Sequence, residues 1–212
     1  MSIQDLRTEY QRGELTEHDA PDDPMVLFAQ WFRQAQDAGL REVNAMSLAT
    51  ASADGCPCAR IVLLKGFDAD GFVFYTNYES RKGLELNANP RACALFFWSE
   101  LERQVRIEGS VGRVCAQESD EYFAQRPLEA RLGAWASPQS RVISDRAELE
   151  ARLTDARSRF GHLADPPRPP HWGGFRIAPV RIEFWQGRVS RLHDRLLYAR
   201  GRDAWQRQRL AP

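Results

Sequence analysis

The sequence predicts a mainly β domain with peripheral helices, an α+β chain whose antiparallel, Greek-key-like sheet closes toward a small barrel. Three observations carry this. From Ala45 to Val114 apolar residues recur at every second position in five successive segments. Beyond a Pro-rich run, Ala164 to His171, three more segments of the same kind follow. Apolar stripes at helical spacing flank or interrupt these blocks without replacing them. Together they imply about six to eight strands with helices packed outside.

The elements follow in order. Residues 3–11 read as a short polar helix and 13–22 as a charged loop. Asp23 is then an N-cap with Pro24 at the first helical position, and Leu27, Phe28, Trp31, Phe32 and Ala35 form one apolar stripe that Gly39 ends. That stripe is read as core. The segments AMSLATAS, CARIVLLK, GFVFYTN, RACALFFW and ERQVRIEGSVGRV are strands, with hairpin turns at Asp54-Gly55 and Asp70-Gly71. Between the third and fourth, SRKGLELNANP is a helix opened by Ser80 and stopped at Asn89-Pro90. ESDEYFAQRP, LEARLGAWA and Asp145 to about Phe160 are helical, and the run before His171 is a semi-rigid connector. GFRIAPVRIEFWQG, the segment around RLHDRLLYAR, and AWQRQRL add a late β-meander.

Composition narrows the class of function. The 212 residues suit one domain, and 43% apolar with 27% charged residues excludes a disordered or fibrous chain. With 29 basic and 29 acidic residues no overall field draws the chain to nucleic acid or anionic lipid. The N-terminus lacks an apolar core and no long apolar run follows, so a cytoplasmic protein without membrane contact is expected. Cys56, Cys58, Cys93 and Cys115 fit neither a disulfide scaffold nor a zinc spacing, and no metal is expected. Of the basic residues only Lys65 and Lys82 are lysines, so a lone arginine is weak evidence of a site here.

Four patterns carry chemistry. In RIVLLK, Arg60 and Lys65 bracket an apolar strand whose middle should be buried on both faces, and alternation places the two cations on opposite faces. By itself this is also the pattern of a strand with solvated ends. Ser80-Arg81-Lys82 opens a helix, where free N–H groups and two cations make an anion site, and without an anion those cations oppose the macrodipole. Arg191, His193 and Arg195 fall at period two, on one face of an extended segment, which favours an anion or electron-rich ring opposite and makes His193 the best acid–base candidate of the four histidines. Tyr122 and Arg126 lie one helical turn apart and could grip one phosphate, although an exposed pair has the same spacing. Trp172 and Trp185 read as core or rim aromatics. Neither a Gly-rich dinucleotide fingerprint nor a Walker loop occurs, and the basic clusters lack the interleaved aromatics of a nucleic-acid surface.

Across nearly its whole length the chain resembles the pyridoxine/pyridoxamine 5'-phosphate oxidase family, FMN-binding split barrels that act as homodimers. The resemblance runs through LRTEY, DDPMVLFAQWF, RIVLLKGFDADGFVFYTNYESRKG, NPRACALFFW, ERQVRIEG, YFAQRP, GAWASPQS, HWGGF, IEFWQG, RLHDRLLY and the terminal RLAP. It implies FMN contacts at Arg60, Ile61, Val62, Leu63, Leu64, Lys65, Tyr75, Thr76, Arg81, Lys82, Gln104, Gln139, Ser140, Trp185 and Arg195, with Arg81 and Lys82 on the flavin phosphate. It implies that Lys65, Tyr122 and Arg126 meet the substrate phosphate, that Arg191 and His193 lie against the pyridine ring as catalytic residues, and that Arg7 and Tyr10 belong to a lid. By the same resemblance residues 1–22 form a helical lid segment, and 23–212 one split-barrel domain whose last part, from about residue 170, carries the dimerisation and substrate-site region. FMN would lie at the interface of a homodimer.

The implied reaction oxidises the CH–NH2 of pyridoxamine 5'-phosphate or the CH–OH of pyridoxine 5'-phosphate with O2, giving pyridoxal 5'-phosphate, hydrogen peroxide and, from the amine, ammonia. That places the chain in pyridoxal 5'-phosphate salvage. One position departs from the family: Ala130 stands where a serine hydroxyl helps hold the substrate phosphate. Losing one such bond weakens binding by on the order of 1 kcal/mol and leaves the chemistry alone. Two alternatives stay open, a flavin oxidase of the phenazine-biosynthesis type and a non-catalytic split barrel holding flavin, haem or pyridoxal phosphate. The phenazine branch, whose substrates carry no phosphate, lacks the full set of Lys65, Tyr122 and Arg126.

Overall fold

In the computed structural model, which describes residues 2–5 and 9–212, nine strands form one antiparallel sheet. They are β1 (Ala45–Ala51), β2 (Pro57–Leu63), β3 (Gly66–Asp68), β4 (Gly71–Asn77), β5 (Arg91–Trp98), β6 (Arg103–Arg113), β7 (Trp172–Gln186), β8 (Asp194–Arg200) and β9 (Trp205–Arg209). The order is β2-β1-β5-β6-β7-β4-β3, with β8 on β7 and β9 on β8. The chain leaves β4 through a helix and re-enters beside β1, which is the Greek-key-like step expected.

One strand explains why the barrel is split. The first half of β7 pairs with β4, from Trp172↔Asn77 to Ile177↔Phe72, and its second half pairs with β8, from Arg181↔Ala199 to Gln186↔Asp194. Along its other edge β7 follows β6, with a register shift between Glu108 and Gly109 opposite Pro179 and Arg181. Pro179 has no N–H to give the ladder, and the shift leaves Val180 without an opposite residue. The sheet bends there, and the two ends of β7 serve different neighbours.

The helices are α1 (Pro24–Asp37), α2 (Arg81–Ala88), α3 (Ala116–Gln125), α4 (Leu128–Ala136) and α5 (Arg146–Phe160). Asp23 caps α1 by accepting from the Met25 N–H, and Asp145 caps α5 through Glu148 N–H. The predicted stripe of α1 plugs the barrel: fully buried Phe28 meets Phe72 and Phe67 edge-on at 4.9 Å, and Trp31 meets Phe184 at 5.3 Å. Burying such a ring contributes about 1.5–3 kcal/mol. Tight turns follow the predicted signals, with φ of +86° at Gly55 and +132° at Gly71. At Gly71 a Cβ would sit 2.0 Å from the Ile177 carbonyl oxygen, so no other residue fits.

Three expectations are corrected. Among the described residues of 3–11, Ile3–Asp5 is a single 3₁₀ turn and Glu9 to Gln11 is irregular. Three-residue β3 was not foreseen, being shorter than any periodicity can reveal. The middle of β2 is not buried on both faces: Ile61 is 66% and Leu63 37% exposed, because β2 is paired along one edge, to β1, and its outer face is uncovered within this chain.

Candidate functional site

A cavity of about 740 Å³ opens between the outer face of β2, the end of β4 and the helical layer. β2 contributes Ile61, Val62 and Leu63, the strand end Lys65, β4 Tyr75, Thr76 and Asn77, and α2 Lys82. The helical side supplies Tyr122, Gln125, Arg126, Ala130, Gly133, Ala134, Ser137 and Gln139, and Trp172 closes it from the start of β7. Eight of the fifteen residues predicted to hold a flavin thus face the space that also holds Lys65, Tyr122 and Arg126.

Local rules place the cations. Ser80, fully buried, caps α2 by accepting from the Gly83 N–H at 3.3 Å, so Lys82 in the first turn points inward. Its Nζ donates to Thr76 Oγ1 at 3.2 Å and Gln139 Oε1 at 3.1 Å. Burial, then the nearby Arg60 guanidinium, pull its pKa below the usual lysine range. These partners, like Ser80 Oγ at 3.5 Å, are neutral oxygens, which leaves the ammonium without a counter-ion among the described residues, in a cavity of ligand size.

Arg81 turns the other way. Its Nε meets Glu85 Oε1 at 2.8 Å, and it lies with Ser140 in an adjoining hollow. Glu85 is buried and also accepts from Thr50 and, at 3.1 Å, from Arg60 Nη2. Arg60 is therefore locked behind the cavity wall, and Leu64 packs into the core at 4% exposure. β2 ends at Leu63, so Lys65 lies just past the strand on which it was read; it lines the cavity, whereas Arg60 is held by Glu85. Glu85 escaped the sequence reading, although its i,i+4 spacing from Arg81 was a usable signal.

Arg126 departs from the expected helical pairing. α3 ends at Gln125, and Arg126 is its C-cap in extended conformation (φ −73°, ψ 146°), yet it still reaches the same cavity as Tyr122. Its guanidinium carbon lies 4.6 Å above the Trp172 ring, and its buried Nη1 has no hydrogen-bond acceptor among the described residues. Burial pulls its pKa down. Tyr122 stacks on Tyr75 with centroids 3.9 Å apart and planes 16° off parallel, and Tyr75 stacks on Trp172 at 5.5 Å. Burial, then the charge of Glu118, push the Tyr75 phenol up to about 12. Trp172, read from sequence as core or rim, is the floor of this grip.

The remaining predicted residues gather elsewhere. Gln104, Trp185 and Arg195 form one cross-strand row over β6, β7 and β8, with exposed Phe97 at its end. Arg195 Nε donates to buried Glu183 at 2.8 Å, a partner that also holds Arg106. His193 packs on Trp185 at 4.6 Å and on Tyr10 at 5.8 Å, and its Nδ1 accepts from the Arg188 N–H at 3.1 Å. Burial, then Arg191, lower its pKa, against an opposing pull from Asp194. Arg191, His193 and Arg195 do not share an extended face: β8 begins at Asp194, and Ser190 and Arg191 have φ of +56° and +60° in a tight turn. Two consecutive left-handed residues other than glycine are strained and re-aim Arg191. Arg7 lies outside the described residues.

The two groups occupy opposite ends of β7. Trp172 and Trp185 are thirteen residues apart, on the order of 40 Å of strand contour, so this one strand separates the cavity from the His193 cluster.

Comparison with known proteins gives the family and the fold. Residues 32–160 match the family described as pyridoxamine 5'-phosphate oxidase, and residues 172–212 match the pyridoxine 5'-phosphate oxidase C-terminal dimerisation region. The chain is 60% identical to a pyridoxine/pyridoxamine 5'-phosphate oxidase of Bordetella pertussis, with 100% of both chains covered. It is 57% identical to one of Salinibacter ruber, with 99% of both covered. Among solved structures it is similar to PhzG of Burkholderia lata, determined with tetrahydrophenazine-1-carboxylic acid, at TM-score 0.86 and 34% identity over 92% of this chain and 95% of that one. A pyridoxamine 5'-phosphate oxidase-related, FMN-binding protein of Nostoc punctiforme shares the fold at TM-score 0.69 and 20% identity, over 91% and 98% of the chains. Among the described residues no helix is long and apolar enough to cross a membrane.

Proposed function

The chain belongs to the pyridoxamine 5'-phosphate oxidase family, and from that premise we propose that it binds FMN and oxidises pyridoxamine or pyridoxine 5'-phosphate to pyridoxal 5'-phosphate with O2. The observation that carries the substrate class is the buried, unpartnered Arg126 Nη1 in a cavity that also presents Lys65 and Tyr122. An unsatisfied guanidinium N–H in a buried place costs about 1–3 kcal/mol, and a phosphate oxygen removes that cost.

The residues present fit the cofactor. Lys82 is a buried cation with only neutral partners, beside Thr76 and Gln139, and Arg81 with Ser140 adjoins it. These would hold the flavin phosphate, and the apolar face of Ile61, Val62 and Leu63 would lie along the ring system. When bound, FMN supplies the redox chemistry, accepting a hydride equivalent from the substrate and delivering the electrons to O2. The protein orients the substrate by its phosphate, excludes water with the Tyr75, Tyr122 and Trp172 rings, and manages the proton of the amine or hydroxyl. We assign that last role to His193 with Arg191: the lowered pKa favours the neutral ring, whose one lone pair, on Nδ1, is released for a proton when it leaves the Arg188 N–H.

Because His193 and the cavity sit at opposite ends of β7, a working site needs the cavity of one protomer and the His193 cluster of another. A homodimer with FMN at its interface supplies both. The exposed Ile61, Leu63 and Phe97 would then be covered by the partner.

The likeness to PhzG favours a second reading, oxidation of a phenazine precursor. Lys65, Tyr122 and Arg126 together argue against it: a phenazine carboxylate could pair with Arg126, but its two oxygens suit the three side chains less well than the three terminal oxygens of a phosphate. The test is aerobic: purified protein with FMN and pyridoxamine 5'-phosphate is followed for aldehyde and peroxide together. Both appearing supports the proposal, and bound FMN with neither product contradicts it.

A further inference from the structure

The segment that carries Tyr10 is fastened to the barrel by a buried carboxylate from the turn between β5 and β6. Glu102 is 7% exposed, and its Oε2 accepts from the Gln11 N–H at 2.8 Å and the Arg12 N–H at 3.0 Å, about ninety residues away in sequence. Its own carbonyl accepts from the Gly187 N–H at 2.8 Å, two residues beyond Trp185. Gly187 is squeezed between the two: a Cβ there would lie 2.7 Å from Tyr10 Cβ and 3.0 Å from Glu102 Cβ. Tyr10 in turn meets Trp185 edge-on at 5.6 Å and His193 at 5.8 Å.

Glu102 also has φ +55°, a left-handed backbone in which glycine would be easier. A strained carboxylate that spends one oxygen on two backbone N–H groups holds its place through its side chain. Other tethers act further along: Leu15 N–H on Asp194 at 3.1 Å, Arg188 on the Gly13 carbonyl at 3.1 Å, and Arg209 on Glu17. Among the described residues, Glu102 is the one whose side chain binds the two residues directly after Tyr10.

We infer that Glu102 is a positioning residue, the latch that sets Tyr10 over His193 and so orders the substrate-facing side of the site. The inference rests on the proposed function only for the statement that Tyr10 and His193 face substrate. Without the latch, residues 9–12 lose two charge-assisted bonds and Tyr10 is no longer fixed against Trp185.

The test uses the flavin-loaded enzyme and two readouts. Brief trypsin treatment reports on the Arg12–Gly13 bond, and Glu102→Ala should speed that cut about tenfold while cleavage elsewhere is unchanged. Glu102→Gln, which keeps an acceptor oxygen, should fall between the two. In steady-state kinetics with pyridoxamine 5'-phosphate, Glu102→Ala should raise KM several-fold with a smaller change in kcat. That rise should disappear when Tyr10 is already alanine, because the two act through one contact. An unchanged cut after Arg12, or effects of Glu102→Ala and Tyr10→Ala on KM that simply multiply, would overturn the inference. If the wild type does not oxidise the substrate, the proposed function fails by itself, and the trypsin result alone decides the latch.

Discussion

The Arg126 guanidinium lies 4.6 Å above the Trp172 ring, and that contact fixes a cation whose other side faces an open cavity. Trp172 begins β7 and Arg126 caps the end of α3, so a strand and a helix meet at the proposed phosphate site. A cation over an indole is worth about 0.5–2 kcal/mol, enough to aim a side chain but not to satisfy its N–H groups.

Arg126→Ala should therefore raise KM for pyridoxamine 5'-phosphate about ten- to a hundredfold, the equivalent of losing one charge-assisted contact. Trp172→Leu should raise it less, by roughly fivefold, because the charge remains and only its aim is lost. Steady-state kinetics at saturating FMN measures both. Equal effects would mean that Trp172 acts through the fold.

Ala130 lines the same cavity, and its methyl side chain offers no hydrogen bond. Ala130→Ser should lower KM roughly fivefold, about 1 kcal/mol, with kcat unchanged. A rise in KM would show that the site has repacked around the missing hydroxyl.

Much of this grip was legible in sequence, and the reason is locality. Asp23 and Ser80 cap their helices as read, and Asp54-Gly55 and Asp70-Gly71 mark their turns, because each signal acts within a few residues. The period-two reading of Arg191, His193 and Arg195 failed because Ser190 and Arg191 are left-handed, which no alternation rule foresees. The acceptors Glu85, Glu102 and Glu183 stayed hidden for a different reason. Except for Arg81 with Glu85, their partners lie on other strands or distant segments, and only the folded sheet brings them together.

Glu85 gathers Thr50, Arg60 and Arg81 around one buried carboxylate. Burial pushes its pKa up, but hydrogen bonds from Thr50, Arg81 and Arg60 outweigh this and leave it below the usual glutamate range. The stability it contributes is present above its unfolded value and is lost as pH falls through the lower folded one. Glu85→Gln should thus lower Tm at pH 7 and weaken FMN binding, with the difference in Tm from wild type shrinking as pH falls below about 4.5. Thermal melts across that range, with FMN titration at pH 7, measure both.

His193 has a lowered pKa in the folded chain, so its ring stays neutral to a lower pH than a free imidazole. Stability tied to the neutral ring is present above about 6.5 and declines as pH falls toward the folded value. The acid limb of kcat/KM should accordingly fall below about pH 6.5. Arg191→Gln removes a repelling cation and should move that limb upward while lowering kcat. A limb that stays in place would assign the proton to another group.

The central claim is that one chain carries two halves of a site that only a pair of chains can join. The most direct measurement co-expresses two impaired variants, Arg126→Ala in the cavity and Arg191→Ala beside His193, and assays the mixed dimers with pyridoxamine 5'-phosphate at a concentration well below the raised KM of Arg126→Ala. In a two-fold dimer each mixed pair regains one intact site, so random pairing should restore about a quarter of wild-type activity. Activity no greater than the average of the two variants alone would contradict the account and place the whole site within a single chain.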